Sequence, residues 1–125
     1  MNWNAWLAVA AVNGLISVAA GAFGAHGLRD KLSPRYLEIF ETAARYQMYH
    51  VFALVAVAWL ASRQGGWAVS GSGWCFLIGI VLFSGSLYAL ALSGVERLGM
   101  ITPMGGALMI IGWGLLAWAA IRAGP

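Results

Sequence analysis

"SPRYLEIFETAARYQMYHVFALVAVAWLASRQG", residues Ser33–Gly65, begins as a charged segment and ends as hydrocarbon. Ser33 and Pro34 mark a helix start: the hydroxyl caps a free amide, and the proline supplies a preset φ with no N–H left over. No breaker follows until Gly65, so the spacing predicts one helix of about 28 residues, close to 42 Å at 1.5 Å per residue. A bilayer core is only about 30 Å thick. The first turns must therefore stand among the headgroups, and Arg35, Glu38 and Glu41 fall there. A charged amphipathic start over residues 34–45 that runs into a membrane span is the expected form.

The rest of the chain reads the same way. Of 125 residues, 62% are hydrophobic and 9% charged, with a mean hydropathy of +0.80. A soluble domain carries roughly 25% charged residues, so this chain could not cover its surface in water. Four apolar runs are long enough to cross a bilayer: Trp6–Gly24, Ala43–Ala61, Cys75–Ser93 and Met104–Ile121. They predict a single all-α domain, residues 1–125, built as a four-transmembrane-helix bundle with no soluble module. "MNWN" before the first run has no Lys or Arg, so an uncleaved span is expected rather than a signal peptide. Cys75 is the single cysteine, which excludes an internal disulfide and a thiolate metal cage.

Connections are predicted at "SRQGGWAVSGSG" (Ser62–Gly73), read as a Gly/Ser turn with an interfacial Trp67, and at "GVERLG" (Gly94–Gly99). Thr102-Pro103 repeats the hydroxyl–proline start signal. "GLRDKLSP" and "GVERLGMITP" each lie between two apolar helices, a short echo that fits two related helical hairpins. Arg29, Lys31, Arg35, Arg45 and Arg97, five of the seven Lys and Arg residues, gather on the hairpin side. The positive-inside rule then places both hairpin turns in the cytoplasm and both termini outside. Stripes of small residues mark packing faces, since helices in lipid associate by close backbone approach. They are Ala10, Gly14, Ser17, Gly21 and Gly24 on the first helix, Gly79, Ser86 and Ser93 on the third, and Gly105, Gly112 and Ala119 on the fourth.

Four stretches also carry a resemblance. "GAFGAHGL" (Gly21–Leu28), "FETAARYQMYH" (Phe40–His50), "FSGSLYALALSG" (Phe83–Gly94) and "ITPMGG" (Ile101–Gly106) together resemble the small YgdD-like membrane family, catalogued as domain of unknown function 423. The likeness touches all four spans. It implies a four-span integral protein of bacterial inner membranes, with relatives in eukaryotes, and brings no activity to any residue.

Polar residues in the second span mark the candidate site. At 100° per residue, Glu38, Glu41, Thr42, Arg45 and Tyr49 share one face, with Glu41 and Arg45 spaced for an i,i+4 ion pair. Tyr46, Gln47 and His50 point elsewhere. Ionisable groups at such depth are costly and face the bundle interior, so His50 is expected as a neutral imidazole bonded to a carbonyl, a neighbouring helix or Tyr46. Proton handling by His50, or a metal held by His50 and His26 with Glu38 or Glu41, are the sharper alternatives; two histidines 24 residues apart match no ligand spacing. Arg29, Lys31 and Arg35 read as headgroup-facing cations. Glycines 21, 24 and 27 lack the strand context of a dinucleotide fingerprint, and Ser84 and Ser86 are expected to bond their own helix. No catalytic set, cofactor or nucleic-acid footprint emerges. The expectation is a non-enzymatic, multi-pass inner-membrane protein in a membrane-organising, lipid-interacting or assembly role, with lipids, a second copy or other membrane proteins as partners. His26, Glu38, Glu41, Arg45, Tyr46, Gln47 and His50 form its recognition cluster. A small oligomeric channel or transporter using His50 and Arg45 is the rival, and a metal-dependent membrane enzyme the third.

Overall fold

A computed structural model describes residues 1–124. Four long helices account for most of them: α1 (Trp3–His26), α2 (Pro34–Arg63), α3 (Trp67–Ser93) and α4 (Thr102–Ala123), with a five-residue 3-10 helix, Glu96–Met100, leading into α4. No strand occurs among the described residues. Three segments are long and apolar enough to cross a membrane: α1, α3, and the continuous stretch Glu96–Ala123. The fourth helix, α2, is the longest at 30 residues. Arg45, Gln47 and His50 lower its hydropathy.

Each helix starts and stops for a local reason. Asn2 caps α1, its Oδ1 accepting the Ala5 amide at 3.1 Å. Ser33 caps α2 as the sequence suggests, its hydroxyl accepting the Tyr36 amide at 3.2 Å with Pro34 at the first helical position. Gly94 ends α3 in the left-handed region, φ +74°, and its amide closes on Leu90 O at 2.8 Å; a side chain would be strained there. Thr102 behaves differently from expectation. It caps nothing and instead places its hydroxyl 2.6 Å from that of Ser86 on α3.

The Gly/Ser stretch Ser62–Gly73 is also corrected. Only Gln64–Gly66 form the turn, and α3 starts at Trp67. The small residues beyond it serve packing. A Cβ on Gly73 would collide with the Trp6 indole of α1, and Ser72 is fully buried with its hydroxyl turned back to Val69 O at 2.7 Å. In lipid, glycine and serine mark close approach as readily as they mark turns.

The helices pack in chain order, α1 on α2, α2 on α3 and α3 on α4, while α2 reaches α4 narrowly. The central pair α2 and α3 carries most of the buried side chains, with α1 and α4 laid against it. Trp6, Leu54, Val57 and Phe76 are its fully buried apolar anchors. Ser17 and Gly24 of the first small-residue stripe are buried against α2, where Phe40 covers Gly24. At the α3–α4 seam a Cβ on Gly105 would meet the Phe83 amide nitrogen and lie 2.8 Å from Gly79 O, and one on Gly112 would lie 2.8 Å from the Phe76 ring. Ser93, expected in the stripe on the third helix, is exposed and bonds its own helix. A second, smaller core at the hairpin end joins Leu28, Phe40 and Ala91.

Backbone atoms cannot rotate away from an added methyl. Gly105→Ala should therefore destabilise the protein by roughly 1–3 kcal/mol through overpacking, while Gly85→Ala, whose Cβ meets nothing within 4 Å, should not. Thermal midpoints of the two variants in the same detergent check the contrast.

Candidate functional site

Gln47 and His50 lie almost completely inside the bundle, 4% and 5% exposed. In hydrocarbon their polar atoms need partners, and the partners come from all three other helices. The Tyr88 hydroxyl of α3 donates to Gln47 Oε1 at 2.8 Å, and Gln47 Nε2 donates to Asn13 Oδ1 of α1 at 3.0 Å. Asn13 Nδ2 in turn donates to Val9 O at 2.9 Å. One amide thus joins α1, α2 and α3. One turn earlier, Ser17 of α1 donates to Ala44 O at 2.7 Å and Ser84 of α3 donates to Ala43 O at 2.8 Å. Ser84 therefore leaves its own helix, contrary to the sequence expectation, whereas Ser86 does donate to Phe83 O at 3.0 Å.

His50 carries the pattern to α4. The Trp113 indole N–H lies 3.1 Å from His50 Nε2, and His50 Nδ1 lies 2.8 Å from Tyr46 O. An indole nitrogen only donates and a carbonyl only accepts. Nε2 must then be the bare nitrogen and Nδ1 the protonated one, so the imidazole is held neutral in a single tautomer. Phe76 packs beside both rings, 5.7 Å from His50 and 5.1 Å from Trp113 between centroids. Both ring nitrogens are engaged, which leaves His50 no lone pair for a metal.

The remaining candidates do not join this seam. His26 is the exposed last residue of α1. Gly14 faces Val51, which sets His50 near the level of Gly14; His26 is then about 18 Å away along α1. No three of His, Cys, Asp and Glu are grouped for a metal among the described residues. Arg45 is exposed, on an outward stripe that continues through Tyr49, Phe52 and Trp59. Tyr46 contributes its backbone carbonyl inward while its ring packs outward against Tyr49 and Phe83, at 5.4 and 4.9 Å. Glu38 lines a surface cleft of about 350 Å³ with Arg35, Thr42 and Leu87. Arg29 and Lys31 are exposed in the first turn.

The expected Glu41–Arg45 pair is absent among the described residues; the ion pair found is Arg35–Glu96. Arg35 Nη1 donates to Glu96 Oε1 at 2.7 Å and Nη2 to Oε2 at 3.3 Å, while the Tyr36 hydroxyl donates to Oε1 at 2.9 Å. This clamp ties the start of α2 to the 3-10 helix, and so one hairpin turn to the other. The Arg35 guanidinium, helped by the Tyr36 hydroxyl, holds the Glu96 carboxyl below its ordinary range. The same carboxylate pushes the Tyr36 hydroxyl above the usual phenol range.

Sequence reasoning singled out Gln47 and His50, which the structure places in the interior, but not their partners or the clamp. Asn13 was the one amide inside the first apolar run, and Glu96 the one acid beyond Glu41; both were visible as exceptions to their surroundings. Nothing local marked Tyr88 or Trp113.

An all-helical chain with apolar helices of spanning length, joined inside by amide, hydroxyl and imidazole bonds, is a helical membrane protein. It belongs to the family described as protein of unknown function (DUF423), whose model matches residues 20–106. Among its relatives, a UPF0382 membrane protein of Staphylococcus epidermidis is 49% identical over 94% of this chain and 95% of its own. The UPF0382 membrane protein YwdK of Bacillus subtilis is 44% identical over 94% and 96%. A UPF0382 membrane protein of Haemophilus influenzae is 46% identical, covering 96% of both chains. No solved structure matches the chain.

Gln47→Leu strands Asn13 Oδ1 and the Tyr88 hydroxyl without a partner, at a cost of roughly 1–3 kcal/mol. The double variant Gln47→Leu/Tyr88→Phe should recover part of that loss. Unfolding in mixed micelles measures both. For the clamp the sign follows from the carboxyl: a group whose folded pKa is depressed contributes stability above its unfolded pKa and loses it as pH falls through the folded value. Acidification below the usual carboxylate range should therefore lower the thermal midpoint of the parent more than that of Glu96→Gln.

Proposed function

We propose that the chain is a four-span protein of the bacterial cytoplasmic membrane, with both hairpin turns in the cytoplasm and both termini outside, that acts by contact rather than by catalysis or transport. Its role on this reading is organisational: it engages lipids, a second copy or other membrane components and supports their arrangement. The observation that carries the proposal is the use of Gln47 and His50. The side-chain amide of Gln47 is spent on α1 and α3, and the two ring nitrogens of His50 on α4 and on its own helix's backbone. A transport pathway or a metal-dependent reaction would need at least one of them free toward a wet cavity.

Two further facts support the reading. As a helix of 30 residues, α2 is about 45 Å long, and it lies between α1 and α3, each apolar enough to span. Once its inward polar atoms are satisfied, the apolar remainder can cross beside them. The clefts lie at helix ends or on outward faces, and Arg45, named in the transport alternative, faces outward.

Two measurements test the proposal. Single cysteines introduced as Asp30→Cys or Gly65→Cys, which flank α2, in a Cys75→Ser background should react with a membrane-impermeant thiol reagent from opposite sides; labelling of both from one side overturns the four-span arrangement. Proteoliposomes of the parent chain should show no ion or proton flux above empty liposomes, and a flux abolished by His50→Ala would replace contact with transport.

A further inference from the structure

The two ends of the bundle differ in a way that the seam does not explain. All four side-chain acids, Asp30, Glu38, Glu41 and Glu96, belong to the hairpin end. The opposite end, where α2 and α4 finish and α3 starts, carries two arginines and no side-chain carboxylate. Arg63 and Arg122 arise from matching segments, "AWLASR" (Ala58–Arg63) and "AWAAIR" (Ala117–Arg122). In each, the guanidinium lies over a tryptophan one turn back: Arg63 over Trp59 at 5.3 Å and Arg122 over Trp118 at 5.4 Å. Stacking on an indole attracts a cation and fixes a long side chain in one direction. Neither arginine has an ion-pair partner among the described residues.

The two helix ends are pinned together. Gln64, next to Arg63, donates its Nε2 to Ala119 O at 3.1 Å, within the α4 turn that bears Trp118 and Arg122. A cleft of about 750 Å³ opens beside this bond, lined by Trp59, Ser62, Arg63, Gln64 and Ala120. A second cleft of about 340 Å³, also bordered by Gln64, is lined by Trp118, Arg122 and the first turn of α3. That turn has no side-chain cap, so its leading amides remain free as supplementary donors.

We propose that this end binds anionic phospholipid, with a lipid phosphate at the Arg63 guanidinium beside the larger cleft and another at the Arg122 guanidinium beside the smaller one, the glycerol and upper acyl chain lying against the tryptophan in each. Cations with no ion-pair partner among the described residues invite an external anion, and guanidinium forks match phosphate geometry. Trp3, Trp59, Trp67 and Trp118 at this end form the aromatic belt that sits at headgroup level, which favours a lipid phosphate over a dissolved one. The inference rests on the four-span reading, because it needs this end at a membrane surface; the Asp30 and Gly65 labelling tests that reading separately, so a lipid result is judged only against the topology it reports.

The test uses the purified full chain in detergent, titrated with dioleoyl phosphatidylglycerol or dioleoyl phosphatidylcholine, with bound lipid counted by native mass spectrometry. The parent should retain the anionic lipid in preference to the zwitterionic one. Arg63→Gln and Arg122→Gln should each weaken retention about fivefold at the cleft that arginine lines, from the usual worth of a cation near an anionic surface, and the double variant should weaken it at both. Arg97→Gln, at the hairpin end, should leave retention unchanged. The double Gln variant should keep the parent's circular dichroism; the double Lys variant, which preserves charge, should bind between the two. Equal retention by the parent and the folded double Gln variant overturns the proposal, as does an equal loss in Arg97→Gln. Displacement of the lipid by excess inorganic phosphate overturns the lipid as occupant.

Discussion

An amide left alone in hydrocarbon costs several kcal/mol, and the bundle is arranged around satisfying one of them, on Gln47. Its carbonyl accepts from α3 and its amino group donates to α1. Because the two bonds leave one side chain in different directions, the rotation of α2 about its axis is fixed relative to both neighbours. His50 lies three residues further along and applies the same logic to α4 through Trp113. Interhelical bonds of this kind average only about 0.6 kcal/mol each in lipid. Their larger effect is on uniqueness, since a rotated or slid helix would forfeit several bonds together.

Packing and polarity divide the work between the two sides of the central pair. Between α3 and α4, glycines let the backbones meet directly, as at Gly79 and Gly105, and polar bonds are few. Between α1 and α2, where Gly14 leaves ordinary contact to Val51, the Ser17 and Asn13 bonds supply the register. At the hairpin end the Arg35–Glu96–Tyr36 clamp fastens the connections to each other. It is exposed and screened, and pairs of this sort contribute little stability by themselves. Its place at the junction of both hairpins gives it a geometric role.

Much of the architecture was legible in the sequence because it followed from local chemistry. Ser33 and Pro34 announced α2, and the apolar runs announced the other long helices. Composition misled where one composition serves two purposes: the Gly/Ser stretch before Cys75 resembles a turn, yet Gly73 is small because Trp6 lies against it. Thr102 repeated the pattern of Ser33 but turned its hydroxyl to Ser86. The polar cluster was visible as residue types and opaque as an arrangement. Gln47 and His50 meet residues 34, 41 and 63 positions away, and the periodicity of one helix describes its own faces without naming what lies across them. The Glu41–Arg45 spacing was the reverse case, a local rule satisfied in sequence that the side chains do not use.

The polarity of α2 has a consequence for how such a chain is made. By length and hydropathy α1, α3 and the stretch Glu96–Ala123 suffice to cross a bilayer, and α2 falls short of that measure. On the four-span reading, Gln47 can shed its water only when Asn13 and Tyr88 are both beside it. Asn13 has already left the ribosome by then, whereas Tyr88 follows 41 residues later. The second helix would on that reading stay half solvated until the third is synthesised. Membrane entry would then join α2 to α3, and a chain truncated before Tyr88 would leave its central helix unfinished at the lipid's edge.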